Sequence, residues 1–140
     1  MRPACLEVDL AAIRGNLRAV EEVVGESTAV AAVVKANAYG HGAVEVARAG
    51  LEAGAGMLCV AIVDEGIELR EAGLEAPILL LGPPNTDEVD EALARDLIPA
   101  ISDSHHARIV AEAARRAGRP ARIHVKLDSG MGRHGARPGT

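Results

Sequence analysis

Val33-Val34-Lys35-Ala36-Asn37-Ala38-Tyr39-Gly40-His41-Gly42 is the stretch on which the reading of this chain turns. The apolar run at 28–34 ends on a lysine, and glycines at 40 and 42 then break the chain into a turn. An amphipathic segment follows, with Val44, Val46, Ala47 and Leu51. Strand, lysine, glycine-bounded turn and helix is how an α/β protein presents a reactive side chain at the carboxyl edge of its sheet. An amine at the mouth of a buried strand sheds part of its hydration. That disfavours the ammonium and makes Lys35 a candidate nucleophile for a carbonyl. Taken alone, Lys35 reads first as a solvated lysine just past a strand.

The same alternation of apolar runs and helical patterns extends through the chain. Residues 4–8 read as a short strand, and Asp9 as the N-cap of a helix with Leu10, Ile13, Leu17, Val20 and Val24 on one face and Gly25 as its stop. The lysine strand at 29–35 leads to a helix over 42–53, and a strand at 57–63 leads to a helix that Asp64 caps and Gly73 ends. Further strands fall at 77–81, 97–101 and 122–127, with helices over 86–94 and 104–117. Strand centres near 32, 60, 79, 99 and 125 have the spacing of repeated βα units. Continuous apolar strands alternating with helices predict a parallel sheet covered on its faces. Pattern alone leaves a doubly wound sheet and a (β/α)8 barrel both open.

A second motif, Lys126-Leu127-Asp128-Ser129-Gly130-Met131-Gly132-Arg133, ends the last strand. Glycines on both sides of Met131 allow a sharp turn that delivers Arg133 to the same edge as Lys35. A guanidinium there can give paired hydrogen bonds to a carboxylate or to a phenolate oxygen. Standing alone, Arg133 reads as a turn arginine in solvent.

Together the motifs change both readings. Lys-Ala-Asn-Ala-Tyr-Gly-His-Gly at 35–42 closely resembles the pyridoxal phosphate (PLP) attachment sequence of alanine racemases. Residues 126–135 resemble that family's second signature, Lys-x-Asp-Thr-Gly-Met-x-Arg-x-Gly, with Ser129 for the usual threonine and His134 where an aliphatic residue is common. The resemblance implies a catalytic Lys35 that bonds covalently to PLP, a Tyr39 that contacts the cofactor phosphate, and an Arg133 that serves both the phenolic oxygen of PLP and the substrate carboxylate. It implies for Lys126 the carbamylated lysine that orients the arginine in many members. The implied fold is an N-terminal (β/α)8 TIM-type barrel followed by a β-rich domain. The implied activity is racemisation of alanine by a homodimer, supplying D-alanine for peptidoglycan, with serine or another small amino acid as the alternative substrate.

On that reading residues 1–140 are the N-terminal part of the barrel domain, about half of its units, with edge strands left open. Family members take their second base, a tyrosine, from the C-terminal domain of the partner subunit, and their main phosphate loop lies later in the barrel. The 140 residues alone are therefore expected to be inactive. The rival expectations are a non-catalytic PLP-binding barrel and an inert fragment.

Composition narrows the remaining classes. A net charge of −5 argues against a general nucleic-acid binder. No apolar run approaches the roughly 18 residues of a membrane span. Glu7 and Asp9 sit where a secretory signal would have its apolar core, so the chain reads as cytoplasmic. Cys5 and Cys59 lie far apart without metal-type spacing, and no metal is expected. Phe and Trp are absent and Tyr39 is the only tyrosine, so the predicted core is aliphatic. His41 reads as part of the turn, His105 and His106 as surface or capping residues, and Asp64, Glu65, Glu68 and Glu71 as a solvated helix face.

Overall fold

The computed structural model describes residues 4–137. Helix α1 (Leu10–Val24) begins at Asp9, whose carboxylate accepts the Ala11 and Ala12 amides at 2.8 and 3.1 Å, and ends at Gly25 with φ of 76°. Strand β1 (Ala31–Val33) follows, then the turn α2 (Lys35–Gly40) and helix α3 (Ala43–Glu52). The remaining units are β2 (Met57–Val60), α4 (Val63–Glu71), β3 (Ile78–Leu80), α5 (Val89–Ala94), β4 (Leu97–Ile101), α6 (Ser104–Ala117) and β5 (His124–Val125). The strand expected at 4–8 does not form. Ala4 to Glu7 are exposed and have no neighbouring strand to complete a ladder.

All five strands are parallel and lie in chain order, β1-β2-β3-β4-β5. A doubly wound sheet reverses direction beside its first strand, whereas a barrel adds each strand to the same side. The sequential order is that of a barrel, and it decides the choice that the pattern left open. Among the described residues, β1 and β5 each keep one edge without a strand partner.

Register sorts the strand side chains into two layers. Ala32, Leu58, Ile78 and Leu97 stand in one row, and Val33, Cys59, Leu79 and Ile98 in the next. The first row faces the helices. Leu58, Ile78 and Leu97 join Val34, Ala47, Val60, Leu69 and Leu80 in the main core. Small side chains let helix and sheet approach closely there. At Gly66 of α4 a Cβ would lie 2.7 Å from Leu97 Cδ1 and 2.9 Å from Cδ2. Leu97 is itself only 2% exposed, so its methyls move only by disturbing the core. Gly66→Ala is accordingly expected to lower unfolding free energy by about 1–3 kcal/mol, the range for overpacking a core. Urea denaturation checks this, and an unchanged midpoint would show that the contact yields freely.

The opposite end of the sheet is tied by Arg70. Its guanidinium donates to the carbonyls of Arg95 at 3.0 Å, Ala76 at 2.8 Å and Asp96 at 3.1 Å, and also to Leu74. This locks the connections entering β3 and β4 at the amino edge, away from the two motifs. No helix among the described residues is long and apolar enough to cross a membrane.

Candidate active site

The chain leaves β1 through Val34, which is 1% exposed and donates its amide to the Cys59 carbonyl at 2.9 Å. Lys35 comes next, half-buried at the carboxyl edge. The predicted break at 40–42 starts earlier than expected. Ala36, Asn37, Ala38 and Tyr39 all have φ between 50° and 55° with ψ between 37° and 49°. These are left-handed helical angles, so α2 is one left-handed turn built from four non-glycine residues. Each L-residue in that conformation costs roughly 1–2 kcal/mol, which places the strain beside the lysine.

Local bonds hold the turn. The Ala38 amide donates to the Val34 carbonyl at 2.9 Å, and Ala38 is 4% exposed. The Asn37 side-chain oxygen accepts the Ala43 amide at 2.8 Å and so caps α3. His41 shapes the turn as expected, its Nδ1 lying 2.9 Å from the Ala38 carbonyl. The Tyr39 ring is 61% exposed, with its centroid 6.0 Å from Lys35 Nζ.

A residue read only as part of a solvated helix face joins this group. Glu65 Oε1 accepts the Ala36 amide at 2.6 Å, while Oε2 accepts the Ala61 amide at 2.7 Å and the Ile62 amide at 3.3 Å. It thereby caps α4 and grips the peptide after Lys35. The signal available in the sequence was a glutamate in the first helical turn directly after a strand, where amides lack partners. Asp64, expected to cap, lies inside the helix instead.

At the other end of the sheet, Lys126 Nζ donates to the Leu81 carbonyl at 3.0 Å, reaching past β4 to the carboxyl end of β3. Asp128 organises the following loop, its Oδ1 accepting the Gly130 and Gly132 amides at 3.0 Å each. The segment closes where Ala136 donates to the Lys126 carbonyl at 2.8 Å and accepts from Asp128 at 2.9 Å. Gly135 fits there because a Cβ would meet the Asp128 nitrogen at 2.4 Å, and its φ is 136°. Arg133 and Met131 ride on this loop, both exposed.

The glycine amides hold the Asp128 carboxyl below its ordinary pKa. Because the folded value is depressed, the bonds contribute fully above the ordinary carboxylate pKa and are lost as pH falls through the folded value. The Gly130 and Gly132 amide proton shifts, followed by NMR, are expected to titrate below the ordinary aspartate range. A midpoint within that range would contradict the cap.

Lys35, Tyr39 and Glu65 thus meet at one edge, and Lys126 points to the same edge from β5. No hydrogen bond or ion pair among the described residues links Arg133 to any of them. The chain holds only two lysines. Lys126 is engaged by a carbonyl, whereas the Lys35 side-chain amine makes no hydrogen bond or ion pair among the described residues. A primary amine so placed, with a phenol beside it, fits an aldehyde cofactor that bonds to lysine.

Residues 8–140 match the family described as alanine racemase, N-terminal domain. An alanine racemase of Symbiobacterium thermophilum is 47% identical over 138 residues, covering 99% of this chain and 36% of that protein. The structure of an alanine racemase from Clostridium difficile 630 superposes with a TM-score of 0.90 at 37% identity, covering 94% of this chain and 34% of that one. The Bacillus anthracis alanine racemase solved with bound L-Ala-P gives 0.86 at 37% identity, over 96% of this chain and 36% of that one. The chain spans about a third of the length of the curated relatives it matches (36% of the first). Its sheet corresponds to the N-terminal half of their TIM barrel. With both signature motifs at the carboxyl edge of that sheet, the chain belongs to the alanine racemase family.

Proposed function

We propose that residues 1–140 form the N-terminal part of the barrel of a cytoplasmic, PLP-dependent enzyme that interconverts L- and D-alanine and supplies D-alanine for peptidoglycan. The observation that carries this reading is the Lys35 amine at the end of β1, without a hydrogen bond or ion pair among the described residues and with Tyr39 beside it. Lys35 would hold the cofactor covalently, and the Tyr39 hydroxyl would bind its phosphate. Arg133 would donate to the phenolic oxygen and to the substrate carboxylate. Lys126, anchored on Leu81, would support Arg133, carbamylated as in many members.

When bound, PLP draws electrons from the substrate α-carbon and so acidifies its proton. Lys35 Nζ would take or return that proton on one face. The opposite face needs a second base. Tyr39 is the only tyrosine, and it lies with Lys35. A homodimer whose partner subunit reaches into this edge supplies the missing group. Alanine is favoured over serine by the names of the relatives.

The test is to incubate the protein with PLP, reduce with borohydride and map the product. Condensation of the Lys35 amine with the PLP aldehyde releases water, and hydride converts the C=N bond to a stable secondary amine. The mass increment is expected on the peptide containing Lys35. An increment on Lys126 alone, or on neither, overturns the assignment. An adduct on Lys35 in a protein that does not turn over alanine would favour a non-catalytic PLP-binding barrel.

A further inference from the structure

We infer that Glu65 is a positioning residue for Lys35, acting through the left-handed turn. This rests on the assignment of Lys35 as the PLP-bonding amine. Four consecutive residues, Ala36 to Tyr39, hold positive φ, and none is glycine. Alanine favours a right-handed helix above any other residue, so the local sequence works against its own conformation. Something outside the turn must hold it.

The first of the four amides is Ala36 N–H, directly after the lysine. It donates to a group 29 positions along the chain, Glu65 Oε1 at 2.6 Å. The second oxygen of the same carboxylate takes the Ala61 and Ile62 amides, which follow β2. One carboxylate therefore clamps the ends of two adjacent strands and fixes where the left-handed turn begins. Both oxygens act only as acceptors and face only donors, a pattern an ionised carboxylate meets and an amide cannot.

Glu65→Gln keeps the shape of the side chain but turns an NH2 group toward either Ala36 N–H or Ala61 N–H. One strand end is then released while the core beneath α4 is untouched. Lys35 would remain present and reactive but would sample more positions, lowering its capture of PLP.

The experiment compares the protein with its Glu65→Gln and Glu65→Asp variants, using Glu68→Gln on the exposed face of the same helix as control. Two quantities are read: the exchange rate of the Ala36 amide by NMR without PLP, and the rate at which PLP forms a borohydride-trappable adduct on Lys35. Glu65→Gln is expected to speed Ala36 exchange roughly tenfold or more, the factor for losing a charge-assisted hydrogen bond. It should slow adduct formation about tenfold or more, as misplacement of a reacting group does. Glu65→Asp, which keeps the charge, is expected to lie between Glu65→Gln and the parent.

Parent-like exchange and parent-like capture in Glu65→Gln would overturn the inference. So would equal effects from Glu68→Gln. If the parent forms no adduct on Lys35, the PLP reading falls by itself. The Ala36 exchange rate then still decides whether Glu65 holds the turn. Were Glu65→Gln to unfold, Glu65→Asp carries the same comparison, and parent-like values there would overturn the inference.

Discussion

Lys35→Ala is expected to abolish the reducible PLP adduct. Only two side chains in the protein are primary amines, and they differ in their surroundings. Lys126 Nζ is committed to the Leu81 carbonyl, whereas among the described residues Lys35 Nζ makes no hydrogen bond or ion pair and has the Tyr39 ring at 6.0 Å. Deleting the second contact costs little, about 0.5–1 kcal/mol at an exposed cation–π pair. The variant should therefore fold as the parent does, and loss of the adduct would report loss of the amine. Lys35→Arg sharpens the comparison, since it keeps the charge but removes a nucleophilic amine. Intact mass after borohydride gives the result. An adduct at parental yield in Lys35→Ala would remove this lysine from the proposal.

Leu69→Ala should have the largest effect on stability. Leu69 is fully buried in the main core with Leu58, Val60, Ile78, Leu80 and Leu97. Truncating it removes its transfer free energy and leaves a cavity that the rigid sheet cannot close, a loss of about 2–5 kcal/mol. That is a large share of the roughly 5–15 kcal/mol by which domains are stable. Leu69→Met, which nearly conserves volume, is expected to cost less than about 1.5 kcal/mol. Urea unfolding of both variants provides the check. Equal midpoints for Leu69→Ala and the parent would mean that α4 is not seated as described. Because α4 also carries Glu65, the alanine variant should show faster exchange at Ala36.

The elements legible in the sequence were those whose signals are local. Helix α6 spans Ser104–Ala117, the expected 104–117, and ends at Gly118; the structure adds Asp103 as its cap, with His106 bonded to it at 2.9 Å. Strand β4 matches its apolar run from end to end. The other strands came out shorter than their apolar runs because end residues pass to the next element, as Val34 does at the start of α2 and Val63 as the first residue of α4. The supposed strand at 4–8 had suitable residues but no partner, and a ladder cannot be read from one strand. The site divided along the same line. Lys35 and Tyr39 lie near each other in the chain, and their proximity follows from spacing. Glu65 escaped notice because its decisive partner is remote in sequence. The left-handed turn escaped because alanine propensity points the other way, and only bonds made after folding overrule it.

That turn also limits what the motif can do elsewhere. A peptide of residues 33–42, or the same ten residues grafted into another protein's loop, keeps every side chain but loses the Cys59 carbonyl, Glu65 and the burial of Ala38. Without them nothing holds the left-handed turn, and the lysine and tyrosine lose their fixed placement relative to each other. The decapeptide is therefore not portable: its chemistry belongs to the two strand ends that bend it.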